Sequence, residues 1–232
     1  MKSTWKAGQV SGIDLHLHWT FLLMLGGLFF FYLYVGASLM GALAGVGMMI
    51  FAFGCVTAHE LGHALMAKRY GIPTLDITLY PIGGVARLQR MPKKPNQEIW
   101  IAIAGPAVNV AIGMLLYVII STFGSNGVMT LSETLNAPMM ILNALMWFNF
   151  VMAGFNMLPA FPLDGGRVLR AGLATKMGYS RATQIAAVTG QAMAVLMLIY
   201  SVTSGQYMLI FIALFIIFAA QQEARYAFEN DR

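Results

Sequence analysis

Residues 54–71, GCVTAHELGHALMAKRYG, hold two of the four histidines in the chain. On a helix, His59 and His63 lie one turn apart on the same face, so both imidazoles can reach one tetrahedral metal ion. Glu60 stands beside them, where its carboxylate can take a proton from an attacking water molecule. The preceding residues 19–58 carry no charged side chain. Because ionisable groups in such apolar surroundings usually have a function, the spacing predicts a catalytic metal site rather than a solvated helix end.

A catalytic zinc ion takes three protein ligands and keeps one position open, so a third ligand must come from elsewhere in the chain. The other two histidines, His16 and His18, precede the first apolar run, and Cys55 is the only cysteine. Among the nine carboxylates, only Asp164 stands within an apolar stretch besides the glutamate of the motif. By elimination Asp164 is the expected third ligand, and a helix cap or a partner for Arg167 is the alternative.

The remaining candidates have ordinary interpretations. His16 and His18 alternate with Leu15 and Leu17, which is typical of an interfacial strand. Cys55 lies one turn before the first motif histidine, and a buried thiol there is expected to pack in the core rather than to bind metal.

Composition places these residues in a membrane protein. Of 232 residues, 59% are hydrophobic and 10% are charged, and the mean hydropathy is +0.71, whereas a soluble domain is about a quarter charged. A spanning helix needs roughly 20 apolar residues. The uncharged runs, divided at the turn residues 36–38 and 204–206, predict six transmembrane helices: 19–35, 39–68, 99–122, 137–172, 183–203 and 207–223. A cleaved signal peptide is not expected, because the first apolar run is too long and lacks a clear cleavage site.

The charges predict an orientation. All fourteen basic residues fall on the face that holds both termini and the loops near 68–98 and 173–182, whereas the opposite turns hold only Glu133. By the positive-inside rule, both termini are expected on the cytoplasmic side of the membrane. The expected membrane is the plasma membrane of a prokaryote. The net charge of +5 is then a topology signal and not an indication of nucleic-acid binding. One cysteine allows no internal disulfide.

We expect one membrane-embedded domain over residues 1–232, all-α except for a short re-entrant β segment within 72–97. Residues 75–80 alternate apolar and polar side chains and 85–88 resume an extended pattern, so we predict a strand pair or a loop that dips toward the bilayer. One expected role of this segment is to pair its edge with an extended substrate. A purely structural role as a re-entrant loop is an equal alternative, because strand addition needs an exposed edge.

The fourth predicted span must be broken. Residues 156–166 contain two prolines and two glycines, which exclude a regular helix. Irregular backbone at membrane depth survives only when it is buried in protein or lines a wet cavity. This break explains how Asp164 could be aimed at a metal ion on another helix.

Two long motifs resemble those of the site-2 protease family of intramembrane zinc metalloproteases. One is HELGH at 59–63 and the other is FNMLPAFPLDGGR at 155–167, which matches the family pattern N-x-x-P-x-x-P-L-D-G. GPAVN at 105–109 matches a further G-P-x-x-N element, and residues 13–19 resemble the lead-in of compact members. The resemblance covers essentially the whole chain. No insertion is long enough for a PDZ domain and no cystathionine-β-synthase pair follows the last span, so either a minimal core or a longer protein shortened at its C-terminal end is expected.

The resemblance implies hydrolysis of a peptide bond within or near a transmembrane segment of another membrane protein, so the partners are that substrate and the lipid bilayer. It implies one zinc ion per chain on His59, His63 and Asp164, with catalysis by Glu60. It also implies that Asn156 supports the tetrahedral intermediate and that Asn109 helps to hold the substrate backbone. Five residues separate His63 from Lys68, about 7–8 Å of helix, so the site is expected in the cytoplasmic leaflet.

Two other functions stay open. A metal or proton transporter also places His, Glu and Asp side chains at membrane depth, but it does not explain the glutamate that adjoins the first histidine. A membrane zinc peptidase with a glutamate as third ligand would need an intramembrane glutamate after residue 63, and the sequence has none. Serine and aspartyl intramembrane proteases are not indicated, because G-x-S-G and G-x-G-D motifs are absent.

Overall fold

The computed structural model describes residues 3–92, 94–123 and 137–229 of the chain. The N-terminal segment forms strands β1 (Thr4–Val10) and β2 (Ile13–His18), and helices α1 (Trp19–Tyr34) and α2 (Leu39–Arg69) follow. Strands β3 (Thr74–Tyr80) and β4 (Gly83–Leu88) precede α3 (Pro95–Phe123). The remaining helices are α4 (Ala137–Asn156), α5 (Asp164–Met177), α6 (Tyr179–Ser204) and α7 (Met208–Glu229). The fold is mostly helical with one small sheet.

Among the described residues, five helices are long and apolar enough to cross a membrane: α2, α3, α6 and the stretches Met139–Asn156 of α4 and Met208–Arg225 of α7. Helix α1 has 16 residues, about 24 Å at 1.5 Å per residue against a hydrocarbon core of roughly 30 Å. Five of the six predicted spans are therefore confirmed as candidate membrane helices, and α1 falls short in length. The predicted turns at 36–38 and 204–206 do separate helices.

The four strands form one sheet in the order β1-β2-β3-β4. Two antiparallel pairs, β1 with β2 and β3 with β4, are joined by parallel pairing of β2 with β3. The predicted strand pair after α2 is confirmed as the β3–β4 hairpin, and His16 and His18 lie in β2 as expected. The sheet is larger than the short β segment that we predicted, because β1 was missed. Most of β1 is exposed on both faces, so its sequence carries no alternating apolar pattern.

The chain forms two compact units. The first comprises Met1–Met91 and Ala107–Ala153, and the second comprises Pro92–Pro106 and Gly154–Arg232. In the first unit, one face of the sheet packs on α2. Ile13 and Ile77 lie against Ala64 of α2, while the alternate residues of β3 turn their polar side chains to the other face.

The second unit contains the predicted break. The expected span 137–172 is two helices, since α4 ends at Asn156 and α5 begins at Asp164. The irregular connection between them includes Pro159 and the cis peptide bond between Phe161 and Pro162. Its apolar side chains are buried with those of α6 and α7, in clusters around Ala160, Phe161 and Leu163.

Candidate active site

His59 and His63 project from adjacent turns of α2, and only 3% and 5% of their surfaces are exposed. Their rings meet edge to face with centroids 4.6 Å apart, and their Nε2 atoms lie 3.0 Å from each other. This geometry follows from the four-residue spacing, which puts both side chains on one helix face. The structure brings the two predicted imidazoles together with their Nε2 atoms converging.

A buried amide lies behind the first histidine. Asn109, on α3, has no exposed surface, and its Oδ1 lies 2.5 Å from His59 Nδ1. An amide oxygen can only accept, so the imidazole donates this hydrogen bond. The resemblance implied a substrate contact for Asn109, but in the structure its oxygen is engaged by the histidine.

The Asn109 amide has a partner that the sequence analysis missed. Its Nδ2 donates to Oδ1 of Asn149, on α4, at 2.7 Å. Asn149 belongs to none of the recognised motifs. The available signal was an amide at the centre of an apolar helix, one of three asparagines in α4, because polar groups are costly in the bilayer.

Glu60 lies beside the edge strand of the sheet. A Cβ atom added to Gly84 of β4 would come within 2.8 Å of Glu60 Cγ and within 3.3 Å of Val56 Cγ1. Only a residue without a side chain allows this approach, which explains the glycine at this position. The Glu60 side chain therefore packs directly on the backbone of β4.

Asp164 is the first residue of α5 and is 7% exposed. Its Oδ1 lies 3.6 Å from Nη1 of Arg167, one turn further along the helix. The arginine partner that was the alternative interpretation of Asp164 is thus present. A carboxylate has two oxygens with several lone pairs, so this contact does not prevent it from binding a metal ion.

Two glycines after Asp164 fix the start of α5. A Cβ on Gly165 would lie 2.3 Å from the carbonyl oxygen of Leu158, and one on Gly166 would lie 2.7 Å from the carbonyl carbon of Ala160. The first turn of α5 therefore packs on the backbone of the irregular connection. This contact explains why glycines follow the aspartate.

An ion-pair cluster braces the same connection. Arg170 of α5 donates from Nε and Nη2 to Glu98 Oε1 at 3.0 and 2.5 Å, and from Nη1 to Glu223 Oε1 at 2.5 Å. The guanidinium also stacks 5.0 Å above the centre of the Phe161 ring. Buried charges are tolerated when they are paired in this way. The cluster ties α3 and α7 to the helix that carries Asp164.

His59 and His63 lie in the first compact unit, and Asp164, the expected third ligand, lies in the second. Two imidazoles and one carboxylate leave a fourth tetrahedral position open, which is the donor set of a catalytic zinc site. Asn156 is the last residue of α4 and is half buried. The role expected of Asn156 stays a prediction.

The comparisons with known proteins find zinc metalloproteases. The model of peptidase family M50 matches residues 47–198. A zinc metalloprotease of Methanocaldococcus jannaschii is 39% identical over 94% of this chain and 59% of its own length. The putative zinc metalloprotease Rip3 of Mycobacterium tuberculosis is 31% identical over 96% of this chain and 59% of its own length. The solved structure of a site-2 protease from M. jannaschii covers 95% of each chain with a TM-score of 0.67 and 37% identity.

The chain belongs to peptidase family M50. It spans 59% of the length of the two curated relatives named above.

Proposed function

We propose that the chain is the catalytic core of an intramembrane zinc metalloprotease. Its reaction is hydrolysis of a peptide bond within or near a transmembrane segment of another membrane protein. The observation that carries this proposal is the pair of converging Nε2 atoms on α2, with Glu60 adjoining, in a helix apolar enough to span the bilayer. Membership of a peptidase family supports it and does not favour the transporter alternative.

His59, His63 and Asp164 would hold one zinc ion per chain. When bound, the ion supplies Lewis-acid polarisation of the scissile carbonyl and makes a water molecule more acidic. Glu60 takes a proton from the attacking water and later delivers it to the leaving amine, as general base and then general acid. Asn156 donates from its amide to the oxyanion of the tetrahedral intermediate. The hydrogen bond from His59 supports an orienting role for Asn109 in addition to, or in place of, the expected substrate contact.

The substrate is a transmembrane helix that must unwind before its backbone can react. Strand β4 forms one edge of the sheet and adjoins Glu60 through Gly84. An unwound substrate that paired along β4 would be held extended beside the catalytic carboxylate, as in strand addition. The pairing would satisfy the backbone groups that unwinding exposes.

The proposed arrangement in the membrane has α1 as a sixth, short span and both termini in the cytoplasm. The short α1 can be accommodated by local thinning of the bilayer, at a modest cost per ångström of mismatch. The whole chain then acts as one membrane-embedded domain in a prokaryotic plasma membrane, with its site in the cytoplasmic leaflet.

Metal content and cleavage test the proposal together. We expect about one zinc per chain in the purified protein, and loss of most of it in both Asp164→Ala and His59→Ala, since each removes one of three ligands. Arg167→Ala is the matched control, because it removes the ion-pair partner of Asp164 and leaves the ligand. Stoichiometric zinc in Asp164→Ala would contradict the ligand assignment. Zinc or proton flux in proteoliposomes without cleavage of any membrane substrate would favour the transporter.

A further inference from the structure

Asn149 has no exposed surface and lies in the part of α4 that is apolar enough to span a membrane. Its Nδ2 donates to the carbonyl oxygen of Leu145 at 2.8 Å and to Cys55 Sγ at 3.2 Å. Its Oδ1 accepts from Asn109 Nδ2 at 2.7 Å. Both amide protons and the oxygen thus have partners, which is the requirement for burying an amide in this setting.

One backbone atom sets the direction of every hydrogen bond from Asn149 to His59. The Leu145 carbonyl can only accept, so Asn149 must turn its Nδ2 toward it and its Oδ1 toward Asn109. That oxygen also can only accept, so Asn109 must present Nδ2 to Asn149 and Oδ1 to His59. The imidazole must then carry its proton on Nδ1, which leaves the lone pair of Nε2 for a metal ion.

We infer that Asn149 is a positioning residue for metal binding: it fixes the amide orientation of Asn109 and thereby holds His59 in the tautomer that binds metal through Nε2. The inference rests on the proposed metal site. Hydrogen bonds to the far nitrogen of a ligating histidine orient the ring and raise its basicity. Here the orientation is set one residue behind Asn109, by a buried side chain whose hydrogen bonds go to Asn109, Leu145 and Cys55.

Removal of Asn149 frees the Asn109 amide to turn over. Asn109 Nδ2 also donates to the Met152 sulfur at 3.6 Å, which is a weak acceptor. After such a turn, Nδ2 would face His59 and favour the tautomer protonated on Nε2. The tautomer must then change, with the proton on Nδ1 facing the Asn109 amide donor, before Nε2 can bind a metal ion, so the affinity falls.

The test measures the zinc Kd by competition with a chromophoric chelator, and the tautomer of His59 by ¹⁵N spectra of histidine-labelled, metal-free protein. In Asn149→Leu we expect the Kd to weaken about 10- to 100-fold, and the Nδ1 signal to shift toward the deprotonated position. Asn143→Leu is the matched control on the same helix, because its Oδ1 has no hydrogen-bond partner among the described residues. It should change neither measurement.

Asn109→Asp separates positioning from a general structural role. Both carboxylate oxygens accept, so the orientation of residue 109 no longer matters to His59. Adding Asn149→Leu to this variant should then change the Kd by no more than about twofold, the scatter of independent sites. Loss by the same factor in both backgrounds would overturn the inference, as would wild-type affinity and tautomer in Asn149→Leu.

Two further outcomes are informative. If Asn149→Leu does not fold, Asn149→Asp keeps an acceptor facing Asn109 and should bind zinc as the wild type does, whereas a 10-fold loss would overturn the inference.

If the wild-type protein binds no zinc, the proposed function fails. The ¹⁵N spectra of Asn149→Leu and the wild type still decide the inference in that case, since they need no metal.

Discussion

At the scale of single residues, the site combines groups whose types can be read from sequence with contacts that cannot. The i, i+4 spacing of His59 and His63 fixes their common face, and elimination leaves Asp164 as a third donor. Asn149 could not be predicted, because its importance comes from which atoms it touches on α2 and α3. The partners of Gly84 were equally hidden, since sequence marks a turn there but not the closeness of Glu60.

Gly84→Ala tests whether the packing of Glu60 on β4 matters to the reaction. The added methyl group would meet Glu60 Cγ at 2.8 Å and must displace it. Because small misplacement of a catalytic group costs up to about 100-fold, we expect cleavage to fall by about 10- to 100-fold with zinc content unchanged. Gly54→Ala on α2 is the control, because a Cβ there meets no atom within 4 Å in the part of the chain that the structure describes. Wild-type cleavage by Gly84→Ala would show that Glu60 does not depend on this contact.

At the scale of elements, alternation predicted the β3–β4 hairpin, and the prolines predicted the break before α5. Both signals are local, so they survive without knowledge of the fold. Strand β1 was missed because its pairing with β2, and not its own pattern, makes it a strand. A partly buried ion pair across the hairpin was not predicted either. Arg87 donates from Nε to Asp76 Oδ1 at 2.8 Å and forms a second contact through Nη2.

This ion pair predicts a pH dependence of stability. Hydrogen bonding and the charge of Arg87 hold the pKa of Asp76 below its usual value, although burial opposes the shift. Because the folded pKa is lowered, the stabilisation is complete above the unfolded pKa of about 3.9 and is lost as the pH falls through the folded pKa. Solvent screening limits its size, since the Arg87 side chain is 65% exposed.

Thermal unfolding in detergent across about pH 3 to 7 checks this prediction. We expect Asp76→Asn to unfold at a lower temperature than wild type near neutral pH, with the difference shrinking at the acid end. Asp14→Asn is the control, because the Asp14 side chain in its pair with Lys6 is 33% exposed against 8% for Asp76, so this pair should contribute little. A deficit of Asp76→Asn that stays constant with pH would refute the role of the charge.

At the scale of the whole molecule, composition and charge distribution predicted a polytopic membrane protein, and five candidate spans agree with that prediction. The length of α1 could not be settled from hydropathy, because the apolar run continues past the helix end at Tyr34. Glu133, which we predicted to lie in a turn on the face opposite the basic residues, is outside the described residues. The division into two compact units also has no signal in sequence, since it depends on long-range contacts.

Single-cysteine labelling tests the orientation and whether α1 crosses the membrane. In a Cys55→Ala background, Gln9→Cys and Val35→Cys place exposed thiols before and after α1. Because basic residues cluster on the side of the termini, we expect a membrane-impermeant reagent to label Val35→Cys in intact cells and Gln9→Cys only after lysis. Labelling of both from the same side would mean that α1 does not cross.

The most direct test of the central claim is cleavage of a membrane-protein substrate by purified wild type and Glu60→Gln at equal zinc content. Glutamine keeps the size of the side chain and its hydrogen-bonding capacity but cannot accept the proton of the attacking water. We therefore predict that Glu60→Gln retains about one zinc per chain while its cleavage rate falls by about 100-fold or more. Cleavage by Glu60→Gln at the wild-type rate, with the same zinc content, would contradict the account.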